Sequence, residues 1–85
     1  MTIASLIEKG WVQGNSSVRY RDGSMHYCLY GAIVQVGGLG ENIDIACRAK
    51  EITGERLTVW NDDPARTKEE VLAVARQLDE EFGLK

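Results

Sequence analysis

Apolar residues recur at helical spacing in several stretches of the chain. Ile3, Leu6, Ile7 and Trp11 fall at i, i+3, i+4 and i+8, one stripe on a first helix from Thr2 to Gly10, where the glycine supplies a stop. Cys28, Leu29, Ala32, Ile33 and Val36 make the inner face of a second helix, Met25 to Val36, because their spacing does not alternate as a half-buried strand would. Gly31 lies inside that helix, where glycine costs about 1 kcal/mol relative to alanine. Its presence points to the close approach of another backbone or of a bulky ring, with Trp11 and Trp60 as candidates. The run Gly37-Gly38-Leu39-Gly40 ends the element. Asn42 then caps a third helix over 43–53, with Ile45, Ala46, Ala49 and Ile52 on its face and Gly54 at its end.

The last helix carries the fullest set of signals. Thr67 and Glu70 have the spacing of a capping box, in which the hydroxyl accepts from an early amide and the carboxylate reaches back to the cap amide. Glu69 and Glu70 sit at the positive end of the helix dipole. Val71, Leu72, Val74, Ala75, Leu78 and Phe82 form the apolar stripe; Lys68, Glu69, Arg76, Asp79 and Glu80 fall on the other face, and Gly83 comes next as a stop. The spacing predicts a helix over 67–82. Between the helices, Gln13 to Ser17 reads as loop, Val18 to Tyr20 as a short extended piece, and Asp22-Gly23 as a turn in which Asp22 or Ser24 caps the second helix. Leu57 to Pro64 reads as a connecting segment rich in turn residues. The expected fold is all-α: a small bundle of about four helices in a single domain spanning residues 1–85, with a short extended segment near residues 18–20.

Composition narrows the function classes. Ten Lys and Arg are scattered among thirteen Asp and Glu, for a net charge of −3, which disfavours nucleic acid as a partner. One proline and 44% apolar residues argue against disorder. No apolar run approaches the roughly 18–20 residues of a membrane span, so a membrane partner is not expected. The first residues lack the basic start and apolar core of a signal peptide, so a cytoplasmic location and reduced thiols at Cys28 and Cys47 are expected.

Reactive constellations are sparse. One His and two Cys occur with no Cys-x-x-Cys or His-x-x-x-His, and Asn61-Asp62-Asp63 lacks the glycine and glutamate of a calcium loop, so neither metal nor cofactor is expected. Gly37-Gly38-Leu39-Gly40 lacks the Lys-Ser/Thr of a phosphate loop. His26 and Cys28 do not face each other on a helix, though on a strand they would share a face. The run Trp60 to Thr67 admits two readings. In one, Trp60 fills the core, Asn61 and Asp62 satisfy a tight turn, and Arg66 pairs with an acid. In the other, Trp60, Asn61, Asp62 and Arg66 line a recognition surface together with Trp11 and Tyr27. An exposed Arg66 can hold a carboxylate or phosphate by two parallel hydrogen bonds beside the first amides of the last helix.

Three motifs occur together: Gly10-Trp11, Tyr27-Cys28-Leu29-Tyr30-Gly31-Ala32-Ile33, and Trp60 through Leu72 with its Trp-Asn-Asp-x-Pro-x-Arg-Thr-x-x-Glu-Val-Leu pattern. In these the chain resembles a family of small bacterial and phage proteins that carries no established activity, with Tyr27 where tryptophan is expected. The resemblance implies that Trp60-Asn61-Asp62 and Arg66-Thr67 are a shared feature. The expected function is that of a small non-catalytic binding or accessory protein, of the kind phages encode, acting on another protein. The alternatives are a small ligand-binding protein or minimal hydrolase using the Trp60–Arg66 loop, and a helix-turn-helix DNA binder in which Arg48 and Lys50 contact phosphates.

Overall fold

The computed structural model describes the backbone from Met1 to Lys85 and every side chain except that of Leu39. The element order is α1 (Ile3–Lys9), β1 (Ser17–Arg19), β2 (Met25–Tyr27), α2 (Leu29–Thr53), α3 (Leu57–Asp62) and α4 (Lys68–Glu81). The fold is mainly helical, as the apolar spacing predicts, with a two-stranded antiparallel hairpin laid against the helices.

The first and last helices form where their signals place them. The Thr2 hydroxyl accepts from the Ser5 amide at 3.0 Å, and the Ser5 hydroxyl oxygen accepts from the Thr2 amide at 3.2 Å. Thr67 and Glu70 form the second reciprocal cap, the Glu70 carboxylate accepting from the Thr67 amide at 3.0 Å. Ile3, Leu6 and Ile7 of α1 join Val71, Val74, Ala75 and Leu78 of α4 in one core. Asp79 departs from its expected place on the solvent face. Its carboxylate crosses to α1 and accepts from the Ile3 amide at 2.8 Å and the Ala4 amide at 3.0 Å. First-turn amides have no partner within their own helix and carry partial positive charge, so an acid from α4 satisfies donors that α1 cannot.

The segment expected as one helix from Met25 to Val36 begins instead as a strand. β2 pairs with β1 in the register Ser17↔Tyr27, Val18↔His26 and Arg19↔Met25. On its other side, the Tyr27 amide donates to Gly10 O at 3.0 Å and the Val12 amide donates to Tyr27 O at 3.2 Å. Backbone partners on both sides hold these residues extended, a choice that apolar periodicity does not register. The helix starts at Leu29, capped by Cys28, whose sulfur accepts from the Gly31 amide at 3.3 Å.

The Gly37-Gly38-Leu39-Gly40 run breaks the helix as expected, at Gly38, and a further helix resumes directly after it, ahead of Asn42, which is therefore not its cap. α2 continues to Thr53 through a kink at Gly38, whose φ of 65° and ψ of −154° suit glycine alone. The two expected helices are two arms of one element, and Ile33 of the first arm and Ile45 and Ala49 of the second enter the same core. Leu57 to Asp62, read as a connection, is the short helix α3. Leu57, Trp60 and Asn61 are buried at i, i+3 and i+4, one face of a helix in a stretch whose turn residues mask it.

Gly31 makes the close approach its position suggests, to a backbone and not to Trp11 or Trp60. A Cβ at Gly31 would lie 2.0 Å from Ser16 O, the same oxygen that accepts from the Cys28 amide at 3.1 Å. Gly31→Ala is therefore expected to push the hairpin off α2 and cost about 1–3 kcal/mol, the range for overpacking. A thermal melt of the variant matching that of the parent would show that the hairpin can shift without penalty.

Candidate functional site

The residues named from sequence gather at the C-terminal end of α3, where they are tied to the loop after α1. Asn61 is fully buried and uses its whole side chain. Its Oδ1 accepts from Trp11 Nε1 at 2.7 Å and from the Leu29 amide at 3.1 Å. Its Nδ2 donates to Val12 O at 3.1 Å and to Asp62 Oδ1 at 3.0 Å. Asp62 Oδ1 also accepts from the Gly14 amide at 2.9 Å, and Gln13 Nε2 donates to the carbonyls of Asn61 and Asp63, each at 2.9 Å. Trp11, Asn61 and Asp62 thus meet in a single polar network, and Tyr27 joins it through the backbone as Trp11's bridge partner.

Trp60 and Arg66 form a second pair. The Arg66 guanidinium lies over the Trp60 ring, 4.0 Å from its centroid. Arg66 Nε donates to Trp60 O at 2.9 Å, and Nη1 pairs with Glu70 Oε2 at 2.8 Å. The Arg66 side chain is only 16% exposed and pairs with an acid, as the first of the two sequence readings has it, and is not the free cation of the second. The polar groups between Trp60 and Thr67 are largely engaged with the protein itself.

Neither thiol nor hydroxyl near His26 is arranged for nucleophilic attack. Burial, the largest influence, pushes the Cys28 thiol up, opposed by hydrogen bonds from the Gly31 and Tyr30 amides. A raised thiol is a poor nucleophile. His26 stacks on Tyr20, with ring centroids 3.8 Å apart. The Ser24 hydroxyl lies 2.6 Å from Asp22 Oδ1 and 3.3 Å from His26 Nε2. In a catalytic triad the imidazole stands between hydroxyl and carboxylate. Here the hydroxyl stands in the middle and donates its hydrogen bond to Asp22, closing a turn. No group of three or more His, Cys, Asp or Glu side chains able to hold a metal occurs among the described residues. Among the described residues no helix is long and apolar enough to cross a membrane.

Three exposed carboxylates sit below their ordinary range. The Ser24 hydroxyl and amide lower Asp22, the Thr67 amide and then Arg66 lower Glu70, and Arg48 and then Gln77 lower Glu81. A carboxylate lowered in the folded state contributes stability above its unfolded pKa, and that contribution is lost as pH falls through the folded value. Urea midpoints are therefore expected to hold level down to about pH 4.5 and to drop below about pH 4. Glu70→Gln should flatten part of that drop, and a variant with an unchanged acid limb would show that Glu70 contributes nothing to it.

A different surface offers unfilled contact capacity. A solvent-open cleft of about 300 Å³ lies between the second arm of α2 and α3. Tyr30, Ala46, Cys47 and Leu57 line it with mainly apolar surface, joined by Lys50, Arg56 and Thr58. Tyr30 is 41% exposed, and Val34 and Val59 stand nearby in sequence on the same two helices, at 38% and 56%. Arg48, expected beside Lys50 as a phosphate contact, is held by Glu81 through Nε at 2.7 Å and Nη2 at 3.3 Å. Lys50 and Arg56 make no ion pair among the described residues. In the adjoining recess, which shares Thr58 with the cleft, the sign reverses: Glu55, Asp62 and Asp63 line it. Sequence reasoning missed this cleft. Its lining residues, Tyr30, Ala46, Cys47, Lys50 and Arg56 to Thr58, are too far apart in sequence to give a local signal.

The profile of a family of unknown function, DUF6197, matches residues 2–81. No curated protein and no solved structure matches the chain.

Proposed function

We propose, for a chain that belongs to the DUF6197 family of unknown function, that it is a non-catalytic binding protein that docks on another protein through the cleft between α2 and α3. The observation that carries this reading is the exposed apolar lining around Tyr30, flanked by two cations without ion pairs among the described residues. Aromatic residues and arginine are enriched where protein interfaces concentrate their binding free energy. The Trp60–Thr67 run supports the surface from beneath: the network at Asn61 fixes α3, and Asp62 reaches the acidic recess beside it. A net charge of −3 favours a protein over a nucleic acid as the partner.

The test is site-specific photo-crosslinking in cells that express the protein. A crosslinker at Thr58, beside the cleft, is expected to give a discrete protein adduct, and one at Ala73, exposed on α4, is not. Tyr30→Asp should abolish the adduct while shifting the unfolding free energy by no more than about 0.5 kcal/mol, the usual range at exposed positions. Adducts from Ala73 and none from Thr58, or an adduct indifferent to Tyr30→Asp, would place the contact elsewhere.

A further inference from the structure

We infer that the occupant of the α2–α3 cleft is an acidic amphipathic helix of the partner protein, its apolar side chains laid on Tyr30, Ala46 and Leu57 and its carboxylates against Lys50 and Arg56. The inference rests on the reading of this cleft as the docking face and adds the chemistry of the docking segment.

Three observations carry it. The cleft is lined by residues of α2 and of the first turn of α3, with no sheet edge among them. An extended segment adds to a protein through the free edge of a sheet, and no strand borders this cleft. A helix satisfies its own backbone and needs only side-chain contact, so it is the form that fits. The charges then choose its sign. Lys50 and Arg56 stand without ion pairs among the described residues, in a chain where acids outnumber bases thirteen to ten. Complementary rim charges steer a partner and select it more than they tighten it. Finally, the adjoining acidic recess, with Glu55, Asp62 and Asp63, repels the same carboxylates. The change of sign from one recess to the next therefore keeps the acidic helix on the cleft lined by Lys50 and Arg56.

The experiment uses the full chain, ¹⁵N-labelled, and two synthetic amphipathic peptides. Both carry leucines at i, i+3, i+4 and i+7; one has glutamates on the flanking positions and the other lysines. The Glu peptide is expected to shift the amides of Cys47, Lys50, Arg56 and Thr58. It should bind more tightly than the Lys peptide by a factor on the order of five to thirty at low salt, as two solvent-edged ion pairs supply together. The preference should shrink at high salt, and K50E/R56E should invert it. Equal binding of both peptides at the cleft, unchanged by K50E/R56E, overturns the acidic occupant and leaves the docking face standing. A Thr58 adduct in cells without a cleft response to either peptide likewise overturns the acidic helix and keeps the docking face. A missing adduct together with silent peptides ends both readings. Duplex DNA that shifts Lys50 and Arg56 with a steep salt dependence would replace the acidic helix by a phosphate backbone.

Discussion

Asn61→Ala is expected to lower the unfolding free energy by about 4 kcal/mol or more. The substitution leaves Trp11 Nε1, the Leu29 amide and Val12 O without their partner in a buried setting. Each such orphan costs roughly 1–3 kcal/mol, with Asp62 able to turn to water. The total stability of a domain is about 5–15 kcal/mol, so this one change takes much of it. In a thermal melt the loss reads as a fall in Tm of roughly 15–30 °C for a chain of this size. Asn61→Asp sharpens the test. It keeps the acceptor for Trp11 and Leu29 but sets an oxygen against Val12 O and the Asp62 carboxylate. Burial and like charge raise the pKa of such a group in the folded state. Its stability should therefore be greatest at low pH and be lost as pH rises, opposite to the parent's acid limb. An N61D variant as stable at pH 7 as at pH 4 would show that water fills the network freely.

Trp60→Ala is the second large effect, about 3–5 kcal/mol, as for emptying any large aromatic site. Trp60 is 8% exposed and belongs to the central cluster. It also carries the Arg66 guanidinium 4.0 Å above its ring. Removing the ring leaves Arg66 with its bonds to Trp60 O and Glu70 but without the stack, so the two positions are coupled. Trp60→Ala and Arg66→Ala should fall short of additivity by about 1–2 kcal/mol, toward the desolvated end of the range for a cation–π contact. Urea titrations of the two single variants and the double variant measure it, and strict additivity would reduce the stack to a coincidence of packing.

The part of the fold legible in sequence divides by the distance over which each element is decided. α1 and α4 have their caps, stripes and stops within a few residues, and those signals place both. β2 and α3 are decided by partners far along the chain. The residues bonded to Asn61 lie 32, 49 and 50 positions away, and nothing in a local window shows that Tyr27 has a backbone neighbour on each side. The glycine run is local too and marks the break correctly, because Gly38 takes dihedrals open to glycine; what it does not show is that helix resumes at once, ahead of Asn42. Trp11, Asn61 and Asp62, grouped from sequence as a surface, do meet, but in a network around a fully buried Asn61 that their residue types alone do not show. Arg66 meets an acid, as one of the two readings of the run has it, but its stacking on Trp60 is not visible as spacing. The cleft escapes altogether, since Tyr30, Lys50 and Thr58 belong to turns of two helices that only the kinked path of α2 juxtaposes.

The clamp of α1 by α4 has a consequence for how the chain is made. Ile3 and Asp79 are 76 positions apart, so the first helix is synthesised long before the carboxylate that caps it. At about 5–20 residues per second the interval is roughly 4–15 s. Throughout it, Ile3, Leu6 and Ile7 have no α4 to cover them. On the ribosome the hairpin and α2 can assemble as they emerge, but α1 waits for the last turns of α4. Nascent chains arrested before Asp79 should accordingly be protected from protease over α2 and cut readily within the first nine residues.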